Sequence, residues 1–284
     1  MSDNIHVQGF NLLPPVVKNL LIINGLFFLA SITFAKLGID LNKTLGLHYF
    51  GASDFHIWQI FTYMFMHGNF GHIFFNMFAL WMFGSAIENV WGGKRLLIYY
   101  LVTGIGAALI HYIVIYFQIN SDLKLMEIFL HDPSLNHLID LTQNHRFHIH
   151  QYSGDIYSQY QNFKQYFREW QQDPNNLQLQ NLSVSFITQY REHFLNSFNV
   201  IGASGSVFGL LLAFGMMFPN ARIYLYFLFP IKAKWFVIAY GLLELVYGIA
   251  GTGDGIAHFA HLGGMLFGII LILFWRRTNS FETY

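Results

Sequence analysis

A serine stands in the turn Gly202-Ala203-Ser204-Gly205-Ser206-Val207-Phe208-Gly209, which runs directly into the apolar stretch 210–218. A hydroxyl at that junction sits at a helix N-terminus, where free backbone N–H groups and the positive end of the dipole stabilise a developing oxyanion. The chemistry such a position suits is nucleophilic attack on a carbonyl, provided a base is within reach. The same residues also read as an ordinary helix start, with Gly and Ser capping a buried helix and allowing close packing. What separates the two readings is whether other reactive groups occur at the same place in the fold, and that depends on the elements that carry them.

Those elements are membrane spans. The 284 residues are 54% hydrophobic and 11% charged, where a soluble domain carries about a quarter charged residues. Net charge is zero, with no basic cluster of the kind nucleic acid requires. The absence of cysteine excludes a disulfide framework and a thiol nucleophile. Six apolar stretches, at 16–36, 70–90, 96–117, 203–218, 235–250 and 257–275, are span candidates for a hydrocarbon core of about 30 Å. The segment ahead of the first lacks a basic region and a small-residue cleavage site, so no cleaved signal peptide is expected. Residues 37–68 form an amphipathic aromatic connection containing Trp58, Tyr63 and His67.

The polar stretch 119–197, with 5 basic and 8 acidic residues, interrupts the pattern. Tyr160, Phe163, Phe167 and Trp170, and then Val184, Ile187, Tyr190 and Phe194, recur at helical spacing, which predicts two amphipathic helices in a cap or in the headgroup layer. The resulting organisation is 1–118 with three spans and the first external loop, the insert 119–197, and 198–284 with three spans. The basic residues Lys94, Arg95, Arg222, Lys232, Lys234, Arg276 and Arg277 all fall on one side, which the positive-inside rule makes cytoplasmic. Both termini are then expected inside, and the insert outside.

With that orientation, spans two, four and six run the same way and their polar residues can be compared in depth. Ser204 lies fifteen residues before Pro219, His261 fifteen before Arg276 and Asn76 fifteen before Trp91, with His72 one turn nearer the outer surface. Fifteen residues is about 22 Å of helix. Polar groups at a common depth are costly unless they pair or line water. Gly205, Gly209 and Ala213 form a small-residue stripe on span four, and Ala260, Gly264 and Gly268 form one on span six. Such stripes let backbones approach, which would bring Ser204 to His261. Glu244 is ten residues beyond Lys234, about 15 Å from the inner edge. It is the main rival for a third member beside Ser204 and His261, but it is expected more than a turn deeper than the serine, as an interhelical structural group, and Glu88 near the inner end of span two is read as structural as well. No carboxylate is then placed to orient His261, and a dyad is expected.

The segments at 67–88 (HGNFGHIFFNMFALWMFGSAIE), 202–209 (GASGSVFG) and 260–268 (AHLGGMLFG) resemble the rhomboid family of intramembrane serine proteases. The resemblance covers the six spans and not the insert. It implies an all-α membrane protein, a six-helix rhomboid-like bundle with an extramembrane insert, in the bacterial inner membrane. It also implies that Ser204 is the nucleophile, His261 its base, and His72 and Asn76 the groups that help hold the oxyanion. Gly264 and Gly268 match the close-packing pair of the family, and no cofactor or metal is implied. Two positions depart from the pattern: Trp58-Gln59 stands where the first loop often carries Trp-Arg, and Phe208 where an aromatic that stacks on the histidine is often Tyr.

The expected substrates are membrane proteins whose transmembrane segments carry helix-weakening residues near the outer end, because a stable helix hides its carbonyls. The resemblance adds a preference for small residues before the cut. His258 is a rival for the base, placed nearer the loop than His261. The histidines His145, His148 and His150 have metal-compatible spacing, but no Cys or nearby carboxylate completes a ligand set. A catalytically silent binder of transmembrane segments is the competing class, and the presence of both Ser204 and His261 speaks against it. A transporter would show matching broken helices in two halves, and the sequence has no such symmetry.

Overall fold

The computed structural model describes residues 10–225, 228–251 and 256–278. The expectations for the leading segment and for the side on which the two chain ends lie fall largely on residues 1–9 and 279–284, outside the described residues. The chain divides into two compact units: Met1–Leu47 with Ile57–His111 and Val200–Tyr284, and His48–His56 with Tyr112–Asn199.

In the first unit, α1 (Pro15–Ala35) opens on a proline, whose fixed φ and missing N–H suit the first helical position. Its remaining free N–H groups meet Glu88: Val16 N–H donates to Oε1 at 2.9 Å and Val17 N–H to Oε2 at 2.8 Å. A carboxylate thus caps a helix in another part of the chain and complements its dipole. The connection that follows holds two short helices, α2 (Leu41–Leu45) and α3 (Gln59–Thr62). Gln59 is fully buried and donates from Nε2 to the Thr44 carbonyl at 3.2 Å, while the Thr62 hydroxyl donates to the Leu45 carbonyl at 2.7 Å. The loop is therefore anchored through Gln59 by hydrogen bonds, without the cation often found there.

Next, α4 (Phe70–Ala79), a π-turn at Leu80–Gly84 and α5 (Ser85–Trp91) form one continuous apolar helix. It ends at Gly92, whose φ of 76° turns the chain into α6 (Gly93–His131). The expected third span, 96–117, is only part of α6. No Gly or Pro interrupts residues 118–131, and the helix stops at Asp132, which precedes Pro133 and is pushed out of the helical region by it.

The second unit packs the end of α6 with α7 (Leu135–Asn144), α8 (Asp155–Gln172) and α9 (Leu177–Asn196) around Phe129, Leu138, Phe163, Trp170, Phe186 and Tyr190. Phe163 stacks on Phe186 with centroids 4.3 Å apart. His145 is buried in this core, with Nε2 2.7 Å from the Tyr190 hydroxyl and Nδ1 2.9 Å from Asp122.

Back in the first unit, α10 (Ser204–Met217), a hairpin pairing Arg222–Leu225 with Phe229–Lys232, α11 (Ala233–Ala250) and α12 (His258–Arg277) follow. Ten of the 14 residues of α10 are buried, which makes it the central helix. At about 21 Å it is shorter than a hydrocarbon core of about 30 Å. Among the described residues five helices are long and apolar enough to cross a membrane, and α10 is a shorter apolar helix beside them. Leu, Ile, Phe and Val side chains exposed along α1 and α11 are those of surfaces that face lipid.

Candidate active site

The turn ahead of α10 is built around Gly202. Its φ of 130° disfavours any residue with a Cβ, and a Cβ there would lie 2.7 Å from Nε2 of His72 and 3.6 Å from Oγ of Ser204. The histidine ring and the serine hydroxyl thus flank the same bare stretch of backbone. The Gly202 N–H donates to the Tyr63 carbonyl at 2.9 Å, and the Tyr63 hydroxyl donates to the Gly104 carbonyl at 2.7 Å, tying the turn to α6. Further along α10, Ser206 donates to the Tyr100 carbonyl at 2.7 Å, and Tyr99 donates to the Gly209 carbonyl at 2.9 Å. These bonds satisfy polar groups that have no water to turn to.

The small residues allow α10 to be approached from two sides. A Cβ on Gly264 would lie 1.9 Å from the Gly205 carbonyl oxygen, so α12 meets α10 backbone against backbone. Gly205 and Gly209 themselves accommodate Ala107 and Thr103 of α6, and Gly268 accommodates the Tyr99 hydroxyl of α6. The two stripes therefore form a junction of three helices and not a single seam between two.

At this junction His261 Nε2 lies 2.8 Å from Ser204 Oγ. The imidazole is buried and the hydroxyl half-buried. Phe208 stacks on the His261 ring at 4.2 Å with 5° between planes, and Tyr240 stacks on Phe208 at 5.1 Å. On α4, Asn69 caps the helix by accepting from the His72 N–H at 2.8 Å. Asn76 is buried and donates from Nδ2 to the His72 carbonyl at 3.0 Å. His67, in the connection ahead of α4, is buried with its ring 5.0 Å from that of His72.

One expectation is overturned. Glu244 does not stand apart from the serine level as a separate interhelical group: its Oε2 lies 2.8 Å from Nδ1 of His261 and 2.7 Å from Nδ1 of His258. A carboxylate is therefore placed against His261, and the expectation of a dyad without one was wrong in geometry. Residue counting from the inner turns puts the two backbones about 7 Å apart in depth, and a glutamate and an imidazole together reach across such a gap. The clue was available in the sequence as the single acidic residue of an otherwise apolar span. His258, weighed only as a rival base, instead shares that carboxylate.

Glu244, His258 and His261 are also the described residues whose ligand atoms, within 4.8 Å of one another, could hold a metal ion. The separations of 2.7 and 2.8 Å are those of hydrogen bonds, whereas zinc would need each donor about 2 Å from one common point. Of the insert histidines, His145 and His148 stand edge to face with centroids 6.2 Å apart, but the ring nitrogens of His145 face Tyr190 and Asp122, and His150 pairs through Nδ1 with the Ser153 hydroxyl at 3.0 Å.

Fold and site together define a multi-pass integral membrane protein of apolar helices with a serine and a histidine paired beside its central helix. The model of the Rhomboid domain matches residues 54–118 and 179–278, and the chain belongs to the rhomboid family. It is 33% identical over 111 residues to rhomboid protease AarA of Providencia stuartii, an alignment covering 37% of this chain and 39% of that protein. It is 35% identical over 97 residues to the chloroplastic rhomboid-like protein 11 of Arabidopsis thaliana, covering 34% and 32%. It is also 34% identical over 56 residues to rhomboid protease GluP of Bacillus subtilis, covering 20% and 11%. The chain thus aligns with well under half the length of each of these relatives.

Proposed function

We propose that this protein is an intramembrane serine endopeptidase that cleaves transmembrane segments of other membrane proteins, with Ser204 as nucleophile and His261 as base. The observation that carries the reading is the 2.8 Å separation of Nε2 and Oγ, within reach for proton transfer. The names of two relatives, both rhomboid proteases, support the reaction class.

In the reaction, the Ser204 hydroxyl proton passes to Nε2 of His261 as Oγ bonds to the scissile carbonyl carbon, whose oxygen takes the negative charge. The same proton then goes to the departing amine nitrogen as the C–N bond breaks, and water hydrolyses the acyl-enzyme. The oxyanion is received by the Ser204 N–H, by His72 and by Asn76. The long 3.5 Å approach of the Gly68 N–H to Nδ1 of His72 supports an Nε2–H on the side that faces Gly202. Asn76 uses one N–H on the His72 carbonyl, and the second is the one offered.

A site within the bilayer receives segments laterally, and those with helix-weakening residues near their outer end expose carbonyls. The basic residues beside the spans support their own side as the cytoplasmic one, which in the proposed bacterial inner membrane leaves the insert outside. The test is cleavage of a single-span reporter by wild type and Ser204→Ala, each reconstituted in liposomes. Wild type cleaves and the variant does not; equal cleavage by both removes Ser204 from the role.

A further inference from the structure

Glu244 sits in α11 between Leu242, Leu243, Leu245 and Val246, all of which are exposed on the helix surface, yet it is itself 5% exposed. The carboxylate therefore turns out of the lipid-facing surface into the bundle, where it must be paired. Its Oε2 has two imidazole partners on the first turn of α12, Nδ1 of His258 at 2.7 Å and Nδ1 of His261 at 2.8 Å. With the carboxylate ionised, its oxygen only accepts, and each Nδ1 then holds a proton and donates it. The consequence for His261 is at its other nitrogen. With the proton on Nδ1, Nε2 is left as the acceptor, and it is Nε2 that lies 2.8 Å from Ser204 Oγ.

Two restraints act on the ring in different directions. The Phe208 stack, at 4.2 Å and 5°, fixes the ring plane, and the bond to Oε2 fixes the rotation within that plane. His258 supplies the second hydrogen bond on the same oxygen, and its ring crosses that of His261 at 86° with centroids 6.3 Å apart. It keeps the carboxylate from swinging away when His261 becomes charged.

We infer that Glu244 is a positioning residue for His261, held in place by His258, so that the site works as a chain from Glu244 through His261 to Ser204. This rests on the proposed protease reading, which it deepens. Glu244 touches neither substrate nor the reacting atoms. It sets the tautomer of the base, holds its direction, and faces the imidazolium that forms during attack.

The first test needs no substrate. In wild type labelled with ¹⁵N-histidine and embedded in bicelles, the His261 signal, assigned by its loss in His261→Asn, shows a protonated Nδ1 and a bare Nε2. A proton on Nε2 overturns the inference, whatever any variant does. The second test is kinetic, on a single-span reporter, with rates normalised to sites titrated by a fluorophosphonate. Glu244→Gln lowers kcat by about 10²-fold or more with KM within about twofold, because the loss is confined to the transition state. Glu244→Asp, which keeps the charge, recovers at least about tenfold over the Gln variant. A purely structural glutamate would lower the number of titratable sites and leave kcat per site unchanged. If Ser204→Ala is inert while Glu244→Gln turns over within about threefold of wild type, the protease reading stands and this inference alone fails.

Discussion

Gly264→Ala tests the geometry that brings the serine to the histidine. A Cβ at that position would lie 1.9 Å from the Gly205 carbonyl oxygen and 2.7 Å from its carbon, whereas a carbon–oxygen contact settles at about 3.4 Å. The obstacle is backbone, so no rotamer change relieves it, and α12 must move from α10 by roughly 1.5 Å (3.4 less 1.9). His261 is three residues before Gly264 on the same helix face and moves with it. The Nε2–Oγ separation of 2.8 Å then opens to about 4 Å, beyond a hydrogen bond. Overpacking of this kind costs about 1–3 kcal/mol of stability, and a displacement of about 1 Å at a reacting group costs about 10²-fold in rate. The assay is reporter cleavage in liposomes at a temperature where the variant remains folded, with thermal unfolding followed in parallel. A Gly264→Ala protein that cleaves at the wild-type rate with an unchanged Tm would refute the backbone-on-backbone account.

Three further outcomes follow from individual contacts. Gly268→Ala meets the Tyr99 hydroxyl at 2.2 Å, a side-chain atom, so Tyr99→Phe restores part of its lost Tm, as no side-chain change can for Gly264→Ala; absence of any restoration counts against the assigned clash. Phe208→Ala removes the ring that stacks on His261, a contact worth about 0.5–1.5 kcal/mol, and is expected to slow cleavage by about 2- to 12-fold; an unchanged kcat would show the stack to be idle. Glu88→Gln loses one of the two acceptors for the N–H groups of Val16 and Val17. It should cost about 1–3 kcal/mol while cleavage per folded molecule is unchanged; an unaltered Tm would contradict the capping role.

His67, outside the spans, is lowered to about 4 by burial first and by the neighbouring His72 second. Its folded form binds its proton less readily than the unfolded chain, so its stability contribution is complete above about pH 6.5 and is lost as pH falls toward 4. A His67→Gln protein should show a flatter loss of Tm across that interval than wild type, and parallel curves would exclude His67 as a source.

Five spans were legible as long apolar runs and α10 as a shorter one, and the approach of Ser204 to His261 was legible because counting residues from the inner turns puts them at one level. Phe208, at the position of the stacking aromatic, stands 4.2 Å from the His261 ring. Less of the packing could be read: the stripe residue Gly264 meets Gly205, but Gly209 and Gly268 serve α6, because which face of a stripe meets which neighbour is a matter of tertiary arrangement. The extension of α6 to His131 was missed since its polar end resembles a loop by composition, although nothing in it breaks a helix. Glu244, the rival third member in the sequence, is discounted by its depth although it reaches His261, because residue counting locates backbones and not the ends of long side chains. Gly202 carries no signal of its own beyond being a glycine; only its φ of 130° and the nearby His72 show why it is one.

The central claim is that Ser204 is made nucleophilic by His261. The most direct measurement is mass-spectrometric mapping of a fluorophosphonate adduct on the wild-type protein and on His261→Ala, under conditions where both remain folded in bicelles. Wild type gives a phosphonylated Ser204, and His261→Ala labels at a rate at least about 10²-fold lower. An adduct on a different residue, or equal labelling of Ser204 in the two proteins, would contradict it.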